Sequence, residues 1–220
     1  STFPTSSPAV PPKTSATSVL PVQPVSSKLP TQVNLSVPFL SQAPKQNWDL
    51  PYQEACEEAS LIMVDAYFSG RTQKFSPEEG DKAILDLVAF EEREGFAIDI
   101  NAQEADKIAE TYFSKRAARV IIRPTKDEVR RLLALGFPVI VPADGKALQN
   151  PNFRNGGPPY HMLVIKGYLP DGRWITNDPG TRKGADYIYE EDVLWEAMRD
   201  WNGGNVKAAT PAILVMEAVK

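Results

Sequence analysis

The chain has 220 residues, 42% of them hydrophobic, enough for one domain of ordinary size with a real core plus an appendage. Its formal charge of -4, from 24 Lys and Arg against 28 Asp and Glu, argues against nucleic acid, whose binders need a basic stripe to neutralise phosphates. No apolar run approaches the roughly 18 residues of a membrane span. One Cys and one His leave no disulfide within the chain and no four-ligand zinc site of the usual Cys/His kind. Neither a metal nor an organic cofactor is expected.

Residues 1–31 differ in character from everything that follows. Pro4, Pro8, Pro11, Pro12, Pro21, Pro24 and Pro30 stand among many Ser and Thr, with no acidic residue. Such a stretch buries too little apolar surface to offset its ordering entropy, and its prolines keep it extended, so a disordered linker is expected. The start at Ser1 fits a processed or trimmed form. Spacers of this composition often follow an export signal or anchor, so an extracellular or cell-envelope location is expected.

From residue 32 onward the pattern is globular. Val33 to Leu40 alternates as a strand, with Pro38 marking an edge. Ala55 to Phe68 reads as a helix stopped at Gly70. Ser76-Pro77-Glu78-Glu79 is a capping box that opens a helix to about Glu94. Asn101 to Glu104 repeats the signature for a helix to about Ser114, and Thr125 to Glu128 repeats it again for one ended by Gly136. Arg119 to Ile122 is a short strand between these two helices.

The remainder is mostly strand. Phe137 to Val141 and Met162 to Tyr168 are strands, and Pro170-Asp171-Gly172 turns the chain into a returning strand at Arg173 to Thr176. Asp186 to Tyr189 is another, Glu190 to Trp201 is helical, and Ala212 to Val219 closes as a strand. Helices first and antiparallel strands later predict an α+β domain with segregated layers.

Four residues stand out chemically. Cys56 lies in the first turn of its helix, where unpaired N–H groups and the helix dipole favour a thiolate. Glu57 and Glu58 work against that, because nearby carboxylates disfavour a second negative charge. His161 sits at the mouth of an apolar strand, behind a loop rich in Gly and Pro. The segment Asn177-Asp178-Pro179-Gly180 ends the strand that hairpins back from it, and a carboxylate there could accept from the imidazole. Gln42, or Gln53 closer to Cys56, could supply an amide donor to an oxyanion.

Strand parity decides between Asn177 and Asp178, since successive side chains face opposite ways. A hairpin pairing Tyr168 with Arg173 puts Asp178 on the His161 face. One pairing Leu169 with Arg173 puts Asn177 there instead. Pro-Asp-Gly suits both loops, so the residues alone leave the choice open. Asp171, at the far end of the hairpin, is out of reach.

Taken in order, Val37-Pro38-Phe39-Leu40-Ser41-Gln42, Ala55-Cys56-Glu57-Glu58-Ala59-Ser60-Leu61-Ile62-Met63, Tyr160-His161-Met162-Leu163-Val164 with Gly167-Tyr168, and Asn177-Asp178-Pro179 resemble a known pattern. It is that of papain-fold peptidases similar to the bacteriocin-leader-processing family C-thirty-nine and its stand-alone relatives. The resemblance covers residues 33 to 219. It implies a papain-like cysteine peptidase fold over residues 32–220, with Cys56 as nucleophile, His161 as base, Asp178 as orienter and Gln42 in the oxyanion hole. Relatives often carry Gly-Cys-Gly-Pro at the nucleophile, where this chain has Ala55-Cys56-Glu57-Glu58.

The expected reaction is hydrolysis of a peptide or isopeptide bond through a thioester. Its substrate would be a peptide or protein, with cell-wall peptide among the candidates, and the chain is expected to act as a monomer. Two other readings use the same fold: acyl transfer to an amine or alcohol, and a surface binding module with Cys56 unreactive.

Overall fold

Three helices begin where the capping boxes set them. Ser76, Asn101 and Thr125 each accept the N–H of a glutamate three residues on, and that glutamate's carboxylate bonds back to the cap's own N–H. They open α2 (Pro77–Glu94), α3 (Ala102–Tyr112) and α4 (Lys126–Ala134). The structure is a computed structural model that describes residues 28–113 and 115–219. Most of the expected linker, residues 1–31, therefore lies outside the described residues. Of its last part, the Pro30 carbonyl accepts the Tyr168 hydroxyl at 2.8 Å.

The helix α1 (Cys56–Phe68) has no side-chain cap, and ten of its 13 residues are buried. A helix apolar on nearly every side belongs in the interior. Its Met63 and Ala59, with Ile84 and Leu87 of α2 and Ile108 of α3, form one core against a sheet face that carries Ile140, Met162, Val164 and Leu214. The opposite face carries Val139, Val141, Leu163, Ile165 and Val215, and it is covered by Val129 and Leu133 of α4 and by Leu194 of α5 (Glu191–Ala197). The α+β class holds. The layers are segregated for α1–α3, while α4 and α5 cover the sheet's second face. Among the described residues no helix is long and apolar enough to cross a membrane.

The sheet is antiparallel, in the order β2 (Arg116–Ile122), β7 (Ala212–Ala218), β3 (Val139–Ala143), β4 (His161–Tyr168), β5 (Trp174–Asn177) and β6 (Tyr187–Tyr189). A two-residue strand, β1 (Val33–Asn34), pairs with Gly167 and Tyr168 of β4, past the end of β3. The expected strand from Val33 to Leu40 is thus cut short. The Val37 N–H turns back onto the Leu35 carbonyl at 2.8 Å, Pro38 offers no donor, and Val37 and Leu40 are drawn into the core.

The expected helix from Glu190 to Trp201 also ends early. Met198 bridges to Ala143, and the Arg199 N–H bonds the Pro142 carbonyl at 3.0 Å. Unpaired ladder groups at the end of β3 capture the chain there in place of about one more helical turn.

The hairpin register is the decisive detail. Next to the turn, Leu169 N–H bonds the Arg173 carbonyl at 2.9 Å, Tyr168 faces Trp174 and Gly167 faces Ile175. That is the register which, carried along unchanged, would bring Asn177 to His161. It is not carried along. Ile165 faces Thr176 and Val164 faces Asn177, so Lys166 is an extra residue on β4, a β-bulge. The inserted residue flips the parity, and Asp178 comes to the His161 face. Gly167 permits the bulge beside β1, since a Cβ there would lie 2.0 Å from the Val33 carbonyl oxygen.

Candidate active site

His161 opens β4 and is 1% exposed. Its Nε2 lies 2.8 Å from Asp178 Oδ1, and Phe153 stands edge-on to the ring with centroids 5.2 Å apart. Asp178 is wholly buried and fully engaged. Oδ1 also accepts the Gly180 N–H at 3.0 Å, while Oδ2 accepts the Tyr189 hydroxyl at 2.6 Å and the Asn150 amide at 3.2 Å. Burial alone would raise its pKa. His161, Tyr189 and the Gly180 N–H outweigh that and hold the carboxyl below its usual range. An ionised Asp178 accepts only, so Nε2 is the ring nitrogen that carries hydrogen, and Nδ1 is left as the basic one.

Asn177, one residue away, faces elsewhere. Its amide donates to the Val37 carbonyl at 3.0 Å and its Oδ1 accepts the Asp186 N–H at 3.2 Å, tying β5 to the incoming chain.

Cys56 is the first residue of α1, so its helix end meets the site with N–H groups that no intrahelical carbonyl reaches. Two contacts set α1 against the start of β4. Ser60 Oγ donates to the Met162 carbonyl at 3.3 Å, and the Met162 backbone lies near enough to the Cys56 sulfur to favour its anion. The residue beside the thiol is thus the immediate neighbour of His161. Cys56 Sγ does not hydrogen-bond His161 in this structure; it donates to Glu57 Oε2 at 2.8 Å.

The surroundings of the sulfur thus oppose the expected thiolate at the helix end. Burial pushes the Cys56 thiol well up, Glu57 and Glu58 push it further, and the Met162 backbone opposes them only in part. Burial likewise pushes the Glu57 carboxyl well up. Alkylation of the native protein should consequently show an inflection above about 8.5, the free-thiol value. Glu57→Gln should move it down, because a neutral amide removes the competing charge. A wild-type inflection well below the free-thiol value would show that the helix end prevails after all.

Gln42 is 4% exposed and lies between the two halves of the site. Its backbone N–H bonds the Pro179 carbonyl at 3.0 Å, and its side-chain amide donates to the carbonyls of Tyr52 and Gln53 at 2.9 and 3.0 Å. It thus links the segment after Asp178 to the turn that delivers Cys56. Both amide protons are engaged there, and Oε1 receives none. The Gln53 side chain is turned to the surface, on Glu54 at 2.7 Å.

Sequence reasoning missed Asn150, Phe153, Tyr189 and Gly180. The first two lie in an irregular loop with no local motif. Tyr189 reaches Asp178 only because β6 pairs with β5, with Tyr189 opposite Trp174.

The family model described as Peptidase_C39 like family matches residues 34–203. A C39-like peptidase from Bacillus anthracis aligns with a TM-score of 0.55 at 17% identity, over 86% of this chain and 99% of that one. Active wild-type interpain A cysteine protease from Prevotella intermedia gives 0.52 at 14% identity, over 86% and 95%. A prointerpain A fragment from the same organism gives 0.53 at 14%, over 85% and 72%. At such identities the likeness establishes the fold, which is that of papain-like cysteine peptidases. No curated protein matches the chain significantly.

Proposed function

As a member of the Peptidase_C39 like family the chain is a cysteine peptidase, and we propose that it hydrolyses peptide or isopeptide bonds with Cys56 as nucleophile, His161 as base and Asp178 as orienter. The observation that carries this reading is the 2.8 Å bond between His161 Nε2 and a buried carboxylate, one residue from Met162, whose carbonyl accepts Ser60 of the helix that Cys56 opens. A lone structural histidine has no need of an anion held by three further donors.

Substrate entry turns the thiol from Glu57 to the free Nδ1 of His161, which takes its proton as sulfur attacks the carbonyl carbon. Charge then develops on the carbonyl oxygen. The N–H groups of the first turn of α1 stabilise it, joined by the Gln42 amide once the Tyr52 or Gln53 carbonyl releases it. The imidazolium, supported by Asp178, gives its proton to the departing amine as the carbon–nitrogen bond breaks. Water, deprotonated by the same imidazole, attacks the thioester; the acid leaves and the thiol is restored.

The test compares wild type with Cys56→Ala on denatured protein and on peptidoglycan peptides. Cleavage by the wild type, abolished in Cys56→Ala with folding intact, is expected. Cleavage that survives the substitution would sink the proposal, and so would trapping of the whole acyl group on an added amine in place of hydrolysis.

A further inference from the structure

A second feature beside Cys56 has no part in that mechanism. The turn at residues 51–54, α1, α2 and the segment that follows α2 enclose a cavity of about 500 Å³. Its rim is apolar and open to solvent: Leu50, Leu85 and Ile98 are 62%, 40% and 67% exposed. Its floor is acidic and buried, formed by Glu58 and Glu91, which are only 5% and 6% exposed. Glu54 and Glu92 add two more carboxylates to the lining, and no Lys, Arg or His belongs to it.

Carboxylates are seldom buried without a partner. No N–H or O–H of another residue reaches Glu58 Oε2 or Glu91 Oε1. The two carboxyls lie close enough to perturb each other, and neighbouring carboxylates resist ionising together. Burial, and then Glu58, push Glu91 up to about 10; burial pushes Glu58 up to about 6, with Asp99 and Glu54 adding like charge. A cation placed on this floor would leave both groups ionised and satisfied. The rim would cover the aliphatic stem of a long basic side chain. A norleucine side chain would fill the same walls and leave the acids as they are, and a Glu side chain would be repelled.

The cavity also adjoins the chemistry. The 51–54 turn that walls it runs directly into Cys56, and the Glu58 carboxylate is close enough to raise the Cys56 pKa. We propose that this cavity is a specificity subsite that receives a Lys or Arg side chain of the peptide substrate next to the bond Cys56 attacks. The inference rests on the hydrolase reading above and names its substrate class.

The test uses the full chain carrying Cys56→Ala, so that binding is measured without turnover. Blocked alanine hexapeptides, with Lys, Arg, norleucine or Glu placed at each position in turn, are titrated by calorimetry. At one position Lys and Arg should bind about tenfold tighter than norleucine, a difference of about 1.4 kcal/mol, with Glu weakest. Adding Glu58→Gln and Glu91→Gln should bring the Lys-to-norleucine ratio close to one, with thermal unfolding as the control for folding. Glu91→Gln alone, which should shrink the ratio, serves if the double variant unfolds. Equal binding of Lys and norleucine at every position overturns the proposal, as does no binding at all or a preference that survives the substitutions. Lys-selective binding by a chain whose wild type cleaves nothing would keep the subsite and sink the hydrolase reading instead.

Discussion

Replacing Asp178 with Asn is expected to lower turnover by up to about 10⁴-fold, the loss seen when the orienting carboxylate of such a triad becomes an amide. The amide keeps the carboxylate's shape but supplies two donors where the site already presents donors from Tyr189, Asn150 and Gly180. It also cannot support the imidazolium that forms during the reaction. Asn177→Ala should do the opposite. It strips the Val37 carbonyl and the Asp186 N–H of their partner, costing about 1–3 kcal/mol, while turnover per folded molecule stays near wild type. Measuring stability and turnover for both variants separates the roles, and greater loss of turnover in Asn177→Ala would refute the assignment.

Acid should act through the same carboxylate. Its folded pKa lies below the unfolded value of about 3.9, so its contribution to stability is present above that value and is lost as pH falls through the folded one.

Gly184→Ala should be among the most damaging single substitutions outside the chemical groups themselves. A Cβ at Gly184 would lie 1.7 Å from the Asp178 carbonyl oxygen and 2.7 Å from its carbon, both backbone atoms that cannot swing aside. Gly184 also supplies the carbonyl that accepts the Asp178 N–H at 2.9 Å, so relief of the overlap would drag Asp178 with it. A loss of about 3 kcal/mol or more is expected, from overpacking against backbone. In whatever fraction folds, turnover should fall as His161 loses its partner. Gly203→Ala is the control. It has open space around its Cβ and a φ of +84°, so it should cost only about 1–2 kcal/mol and leave turnover alone. Denaturant titration with activity measured on the same samples decides, and a Gly184→Ala protein as stable and active as wild type would mean that this loop gives way easily.

The sequence by itself determined most of the elements and which thiol–imidazole pair the chain has to offer. Capping boxes act between residues three apart, so Ser76, Asn101 and Thr125 announce their helices in one dimension. The all-apolar run after Cys56 marks a buried helix, and with one Cys and one His no other thiol–imidazole pair can be built. Only the tertiary structure decided how these groups work together. Strand parity has a period of two, so one bulged residue, Lys166, reverses which of Asn177 and Asp178 meets His161, and no local signal announces it. Asn150 and Tyr189 reach Asp178 from 28 and 11 residues away through loop folding and strand pairing. The state of the thiol was likewise out of reach of the sequence. A helix end favours an anion where water or donors surround it, but burial and the adjoining Glu57 carboxyl favour the neutral form, and burial exists only once the chain has closed around Cys56.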